Sequence, residues 1–145
     1  MTKLALDVGK TRIGIARSEG LLALPSAVIA NDVGSLDEIR RLVLDSGAVC
    51  IYIGLPLSLS GNLTPSTQMA ITFGKSLQSI IEVPVRFIDE RLTSKSASHQ
   101  LRNAGKDSRS QKGIIDASAA AIILEFALSS ERGELAGKTL EDLDA

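Results

Sequence analysis

The stretch Leu4–Arg17, LALDVGKTRIGIAR, sets the reading of the whole chain. LALDV and RIGIA each alternate between apolar and other residues, and Gly9-Lys10-Thr11 between them supplies turn chemistry. The two segments are therefore expected to form a β-hairpin. One residue is out of place. Asp7 puts a carboxylate inside an apolar strand, where a charge is costly unless something pairs with it. It could serve the adjacent turn as a local hydrogen-bond acceptor. Otherwise its partner must come from elsewhere in the chain.

Outward from the hairpin, SAVIA at 26–30 reads as a third strand. Ser35-Leu-Asp-Glu38 has the form of a capping box and opens a helix expected to reach about Asp45, with Gly47 ending it. VCIYIGLP is a continuous apolar strand of the kind buried on both faces of a sheet. The loop GLPLSLSGNL follows, and its glycines permit close approach to a ligand as readily as a simple connection. Thr64-Pro65 starts a second helix, expected to end near Ile81. VPVRFI is a further strand that closes on Asp89-Glu90. Thr93 is expected to cap a helix over 94–103, and Ser108-Arg-Ser-Gln111 to open a long alanine-rich helix to about Ser129. The fold expected is α/β, a mixed five-stranded sheet with helices on both faces. Residues 1–129 make one domain, and 130–145 an acidic, partly ordered tail.

The composition narrows the chemistry. A chain of 145 residues suits one domain with its own core. The most apolar helix candidate, IIDASAAAIILEFAL, contains Asp116 and Glu125, so it is expected in a core and not in a membrane. No signal peptide is expected at the start. Cys50 is the only cysteine and His99 the only histidine. An internal disulfide, a thiolate zinc site and a histidine cluster are thereby excluded, and a cytoplasmic location is expected. Any metal would be held by oxygen ligands, which favours Mg²⁺ or Mn²⁺. The net charge is −1, but it is unevenly spread: residues 91–112 carry +5 and residues 130–145 carry −3. The basic segment offers a surface for an anionic partner, although solvated helix faces would look the same. The four aromatics, Tyr52, Phe73, Phe87 and Phe126, fall in strand or helix patterns and make no base-stacking platform. Recognition of a nucleic acid would rest on shape and backbone contacts.

Three positions carry acids where a purely structural sequence rarely puts them. Asp7 is in the first strand. Asp89 and Glu90 stand at the carboxyl end of an expected parallel strand, where ligand sites in α/β sheets form. Asp116 lies in the last helix with Ala119, Ala120 and Ile123 on its own face. It could instead pair with Lys112 one turn earlier. If the three acids converge they resist ionising together, and divalent cations remove that penalty. Two such ions roughly 4 Å apart can activate a water and stabilise a leaving oxygen in phosphodiester cleavage.

DVGKTRIGIA, GLPLSLSG, IDERLTS and KGIIDASAAAIILE resemble, in order, the four signature blocks of the YqgF family of RNase H-like proteins, which includes pre-16S rRNA nucleases and Holliday-junction-resolvase-like proteins. The blocks span residues 4 to about 128. The resemblance implies an RNase H-like fold, a two-metal mechanism dependent on Mg²⁺ or Mn²⁺, and endonucleolytic cleavage of structured nucleic acid. The role it implies is trimming the 5′ end of pre-16S rRNA in ribosome biogenesis. Asp7, Glu90 and Asp116 take the places of the family's acids, as catalytic residues and metal ligands. Glu90 is preferred to Asp89 on the family pattern alone, because the sequence leaves strand parity open. Arg12, Arg91, Arg109 and Lys112 are the candidate phosphate contacts. The expected partner is nucleic acid, either precursor rRNA or branched DNA, and no membrane. Oligomeric state is left open between monomer and dimer. Two other functions fit the same residues: Holliday junction resolution, and a non-catalytic nucleic-acid or ribosome-assembly binding module.

Overall fold

A computed structural model describes residues 1–93, 108–132 and 138–139, with side chains of the last helix described from 117 to 130. The chain runs β1 (Leu4–Val8), β2 (Arg12–Glu19), β3 (Leu22–Ala30), α1 (Ser35–Ser46), β4 (Ile51–Leu55), α2 (Pro65–Gln78), β5 (Val85–Asp89), a single 3-10 turn (Glu90–Leu92), α3 (Ser108–Arg132) and β6 (Lys138–Thr139). The strands form one sheet in the order β3-β2-β1-β4-β5-β6. β1 pairs parallel with β4, and β4 with β5; the other pairings are antiparallel. The mixed α/β sheet expected from the sequence is present, with a two-residue sixth strand added on the β5 edge.

Pleating sorts the strand residues onto two faces. Leu4, Leu6, Val8, Ile13, Ile15, Ile51, Ile53, Leu55, Val85 and Phe87 face one way and form a core with Ile39 and Val43 of α1 and Ala70 and Leu77 of α2. Ala5, Ala16, Cys50, Tyr52 and Ile88 face the other way and pack on Ala120, Ala121, Ile123, Leu124, Ala127 and Leu128 of α3. Helices therefore cover both faces. Alanine meets alanine across the second interface, which lets α3 lie close to the sheet. No helix among the described residues is long and apolar enough to cross a membrane.

Several local expectations change. β3 begins at Leu22 and runs through Pro25. It is the outermost strand, where a missing N–H costs no ladder bond. Ser35 is not the cap of α1: the N-cap is Gly34, without a side-chain cap. The Ser35 hydroxyl instead donates to the Ala30 carbonyl at 2.8 Å and accepts from the Asp32 N–H at 2.7 Å, fastening the β3–α1 connection. Thr64 does cap α2, with Pro65 behind it, and the box is closed by Thr67, whose hydroxyl also donates to the Pro56 carbonyl. α2 stops at Gln78. α3 extends three residues past the expected Ser129. Lys138 and Thr139 pair with Phe87 and Arg86, in a tail where no strand was expected. The helix expected over 94–103 and the remaining tail residues, 133–137 and 140–145, lie outside the described residues.

Candidate active site

The β1–β2 turn is drawn tight by its own bonds. The Gly9 N–H donates to the Arg12 carbonyl at 2.8 Å. A Cβ on Gly9 would stand 2.8 Å from that same oxygen, so the turn closes only because residue 9 has no side chain. Asn31, directly after β3, clamps the turn from outside. Its Nδ2 donates to the Gly9 carbonyl at 2.7 Å and its N–H to the Thr11 carbonyl at 2.9 Å.

Asp7 shares the parity of Ala5 and stands on the α3 face at the carboxyl end of β1. Gly54 shares the parity of Tyr52 and stands on that face at the end of β4. Glu90 shares the parity of Ile88 and stands there just past β5. In register, Leu6 lies opposite Ile53 and Gly54 opposite Ile88, so Gly54 separates the two acids across three neighbouring strands. A Cβ on Gly54 would lie 2.5 Å from Glu90 Oε1 and 2.5 Å from Ile123 Cδ1. The bare α-carbon is thus the floor over which the Glu90 side chain reaches Asp7, and Ile123 of α3 presses on the same spot.

The Asp7 and Glu90 carboxyls are hydrogen-bonded to each other. Burial, then the charge of Asp7, then that hydrogen bond, then the charge of Asp89 push Glu90 from its usual 4.5 up to about 8. Two carboxyls in contact share a proton because their like charges cannot both be exposed to each other so closely. A cation can replace that proton, so the donor set fits a divalent metal bound by oxygen.

Asp89 has the opposite parity and a different partner. Its carboxylate accepts from the Arg91 backbone N–H at 2.9 Å and holds the Arg91 guanidinium through Nε and Nη2, the latter at 2.7 Å. Of the two adjacent acids, it is Glu90 that faces Asp7. Arg12 opens β2 at the same end of the sheet and is half-buried. Asp116 falls on α3, four residues before buried Ala120 and seven before Ile123, and Arg109 and Lys112 fall on its first turns. The side chains of Asp116, Arg109 and Lys112 lie outside the described residues, as does His99. Among the described residues no three His, Cys, Asp or Glu side chains form a metal-binding group. Cys50 is buried at the far end of β4 in the α3-face core.

Sequence reasoning did not single out Gly54 as the space beneath Glu90, nor Asp89 as the holder of Arg91, nor Asn31 as the clamp. Gly54 did leave a signal: glycine inside a β-branched strand marks a close approach.

Comparison with known proteins bears on this arrangement. A family model described as "RuvX: Holliday junction resolvase" matches residues 1–130. A protein of Clavibacter michiganensis subsp. michiganensis (strain NCPPB 382), named "Putative pre-16S rRNA nuclease", is 47% identical over 136 residues, spanning 90% of this chain and 84% of its own. A protein of the same name from Thermobifida fusca (strain YX) is 39% identical over 140 residues, spanning 90% of this chain and 88% of its own. Among solved structures, T. thermophilus RuvC in complex with Holliday junction substrate superposes with a TM-score of 0.63 at 18% identity, covering 97% of this chain and 99% of that one. That likeness shows the RNase H-like fold.

Proposed function

The chain belongs to the RuvX family, the YqgF family of the sequence resemblance, and on that premise we propose that it is a divalent-metal-dependent endonuclease that trims the 5′ end of pre-16S rRNA. The observation that carries this reading is the contact between Asp7 and Glu90 over Gly54. Two half-buried carboxyls brought together at the carboxyl ends of parallel strands are costly for stability and suited to a cation.

Asp7 and Glu90 would hold the metal, with Asp116 as the third ligand from α3. Mg²⁺ or Mn²⁺ suits a ligand set made only of carboxylates. When bound, the metal supplies an activated water and countercharge for the leaving oxygen. The residues do the rest. To hold the metal, Asp7 and Glu90 would both have to be ionised, giving up the proton they share without it. Ile123 of α3 packs against Gly54 beside the acid pair. Arg12, Arg91, Arg109 and Lys112 contact backbone phosphates and set the register of the substrate. Residues 1–129 form the nuclease domain. A role in rRNA processing puts the protein in the cytoplasm, in keeping with a single, buried cysteine.

The family's description favours a second reading, resolution of branched DNA. One experiment separates the two. Labelled pre-16S rRNA and a labelled four-way DNA junction are offered side by side with Mg²⁺, Mn²⁺ or chelator. The rRNA reading expects metal-dependent cleavage of the precursor near its 5′ end and little cleavage of the junction. The reverse pattern establishes the resolvase, and binding to either without cleavage establishes a non-catalytic module.

A further inference from the structure

Among the described residues, Arg91 is gripped along one edge only. Its Nε donates to Asp89 Oδ1 and Oδ2 at 3.1 and 3.0 Å, and its Nη2 donates to Oδ2 at 2.7 Å. The same Asp89 carboxylate accepts from the Arg91 N–H and caps the 3-10 turn, so backbone and side chain fix it together. A guanidinium has five N–H donors in one plane. Asp89 takes the Nε proton and the nearer Nη2 proton. Two donors remain on Nη1 and one on Nη2, along the outer edge, spaced as a fork for two oxygens of one phosphate. Among the described residues nothing accepts from Nη1.

Gly61 stands at that outer edge. A Cβ there would lie 3.0 Å from Nη1 and 3.7 Å from Nη2, over the two nitrogens that keep donors to spare. Residue 61 is also held at φ 87, a conformation that favours glycine. The loop around it is tied down. The Ser58 N–H donates to the Asn62 carbonyl at 3.0 Å, the Gly61 N–H to the Ser58 carbonyl at 2.8 Å, and the Asn62 N–H to Ser58 Oγ at 2.9 Å. The loop therefore brings backbone alone to the guanidinium. Arg91 follows β5 and Gly61 lies in the loop that follows β4, so this open edge stands at the carboxyl end of the parallel strands, the end at which the acid pair stands.

We propose that Asp89, Arg91 and Gly61 form a phosphodiester subsite flanking the acid pair, which takes the backbone phosphate beside the one that is cleaved. Arg91 is the contact, Asp89 is its positioning residue, and Gly61 keeps the fork uncovered. The subsite rests on the nuclease reading above, and its test separates the two. Binding of labelled pre-16S rRNA and of the four-way DNA junction is measured in Ca²⁺ across a salt series, and cleavage kinetics in Mg²⁺. Arg91→Lys keeps the charge and loses the fork; Asp89→Asn keeps an acceptor for the turn and loses the two-oxygen grip. Each should raise Kd and KM about tenfold while kcat stays within about twofold. Gly61→Val should do the same by covering the edge. Arg91→Ala should lower the salt slope of binding by about 1. A purely structural ion pair would move melting temperature without this split. If wild type binds and all four variants match its Kd and salt slope, the subsite alone is overturned. It is overturned equally if kcat and melting temperature fall together while KM holds. If wild type neither binds nor cleaves either probe, the nuclease reading fails and the subsite fails with it.

Discussion

A methyl group at position 54 would have to share space with Glu90 Oε1 and Ile123 Cδ1, each 2.5 Å from where it would sit. Gly54→Ala should therefore push the Glu90 side chain away from Asp7 and α3 away from the sheet. The expected result is lost cleavage together with a stability loss of about 1–3 kcal/mol from overpacking, read by thermal melting. Unchanged melting and cleavage would mean that Glu90 does not use this floor. The acid pair has its own signature in the metal-free protein. Between about 4.5 and about 8 the folded state keeps a proton on Glu90 that the unfolded chain has released. Stability contributed by that proton is full below the lower value and is lost as pH rises through the upper one. Melting temperature in chelator should thus fall across this window relative to Glu90→Gln, and Asp7→Asn should melt higher than wild type at its top while cleaving orders of magnitude more slowly. A wild-type profile parallel to that of Glu90→Gln would contradict the pairing. At this scale the sequence exposed Asp7 and Glu90 because acids in apolar strands are conspicuous. It left Asp89 and Glu90 unresolved, because a shift of one residue in register exchanges the faces, and only the pairing of Gly54 with Ile88 fixes it.

At the scale of elements, α3 carries the strongest expectation. Its alanines meet Ala5 and Ala16 of the sheet, and Asp116 lies on it seven residues before Ile123, the residue that presses on Gly54. If Asp116 is the third ligand, Asp116→Asn should abolish cleavage while salt-sensitive binding of substrate survives. If it only pairs with Lys112, the cost should be about 0.2–0.5 kcal/mol of stability, Lys112→Ala should match it, and both variants should cleave. We expect Asp116→Asn to be dead and Lys112→Ala merely weakened, in one cleavage assay. Element existence was legible wherever periodicity was strong, as in IYIGL and the hairpin. Boundaries failed where tertiary bonds outweighed local signals. Ser35 has the composition of a cap, but its hydroxyl serves Ala30 and Asp32. β3 starts four residues before the expected SAVIA segment and takes in Pro25, which an edge strand tolerates.

For the molecule as a whole, the two faces of the sheet divide the labour. One is packed by α1 and α2 over large aliphatic side chains; the other is kept shallow by alanine and glycine, and the acids stand at its rim. A site made of carboxylates on a sheet predicts dependence on a small, octahedral cation, with Ca²⁺ a poor substitute because of its looser geometry. The most direct measurement is cleavage of 5′-labelled pre-16S rRNA by wild type and by Glu90→Gln, each in Mg²⁺, in Ca²⁺ and in excess chelator. The account predicts strong cleavage by wild type in Mg²⁺ alone and no comparable cleavage by Glu90→Gln, itself folded, under any of the three conditions. Full wild-type cleavage in chelator, or equal cleavage by Glu90→Gln in Mg²⁺, would contradict it.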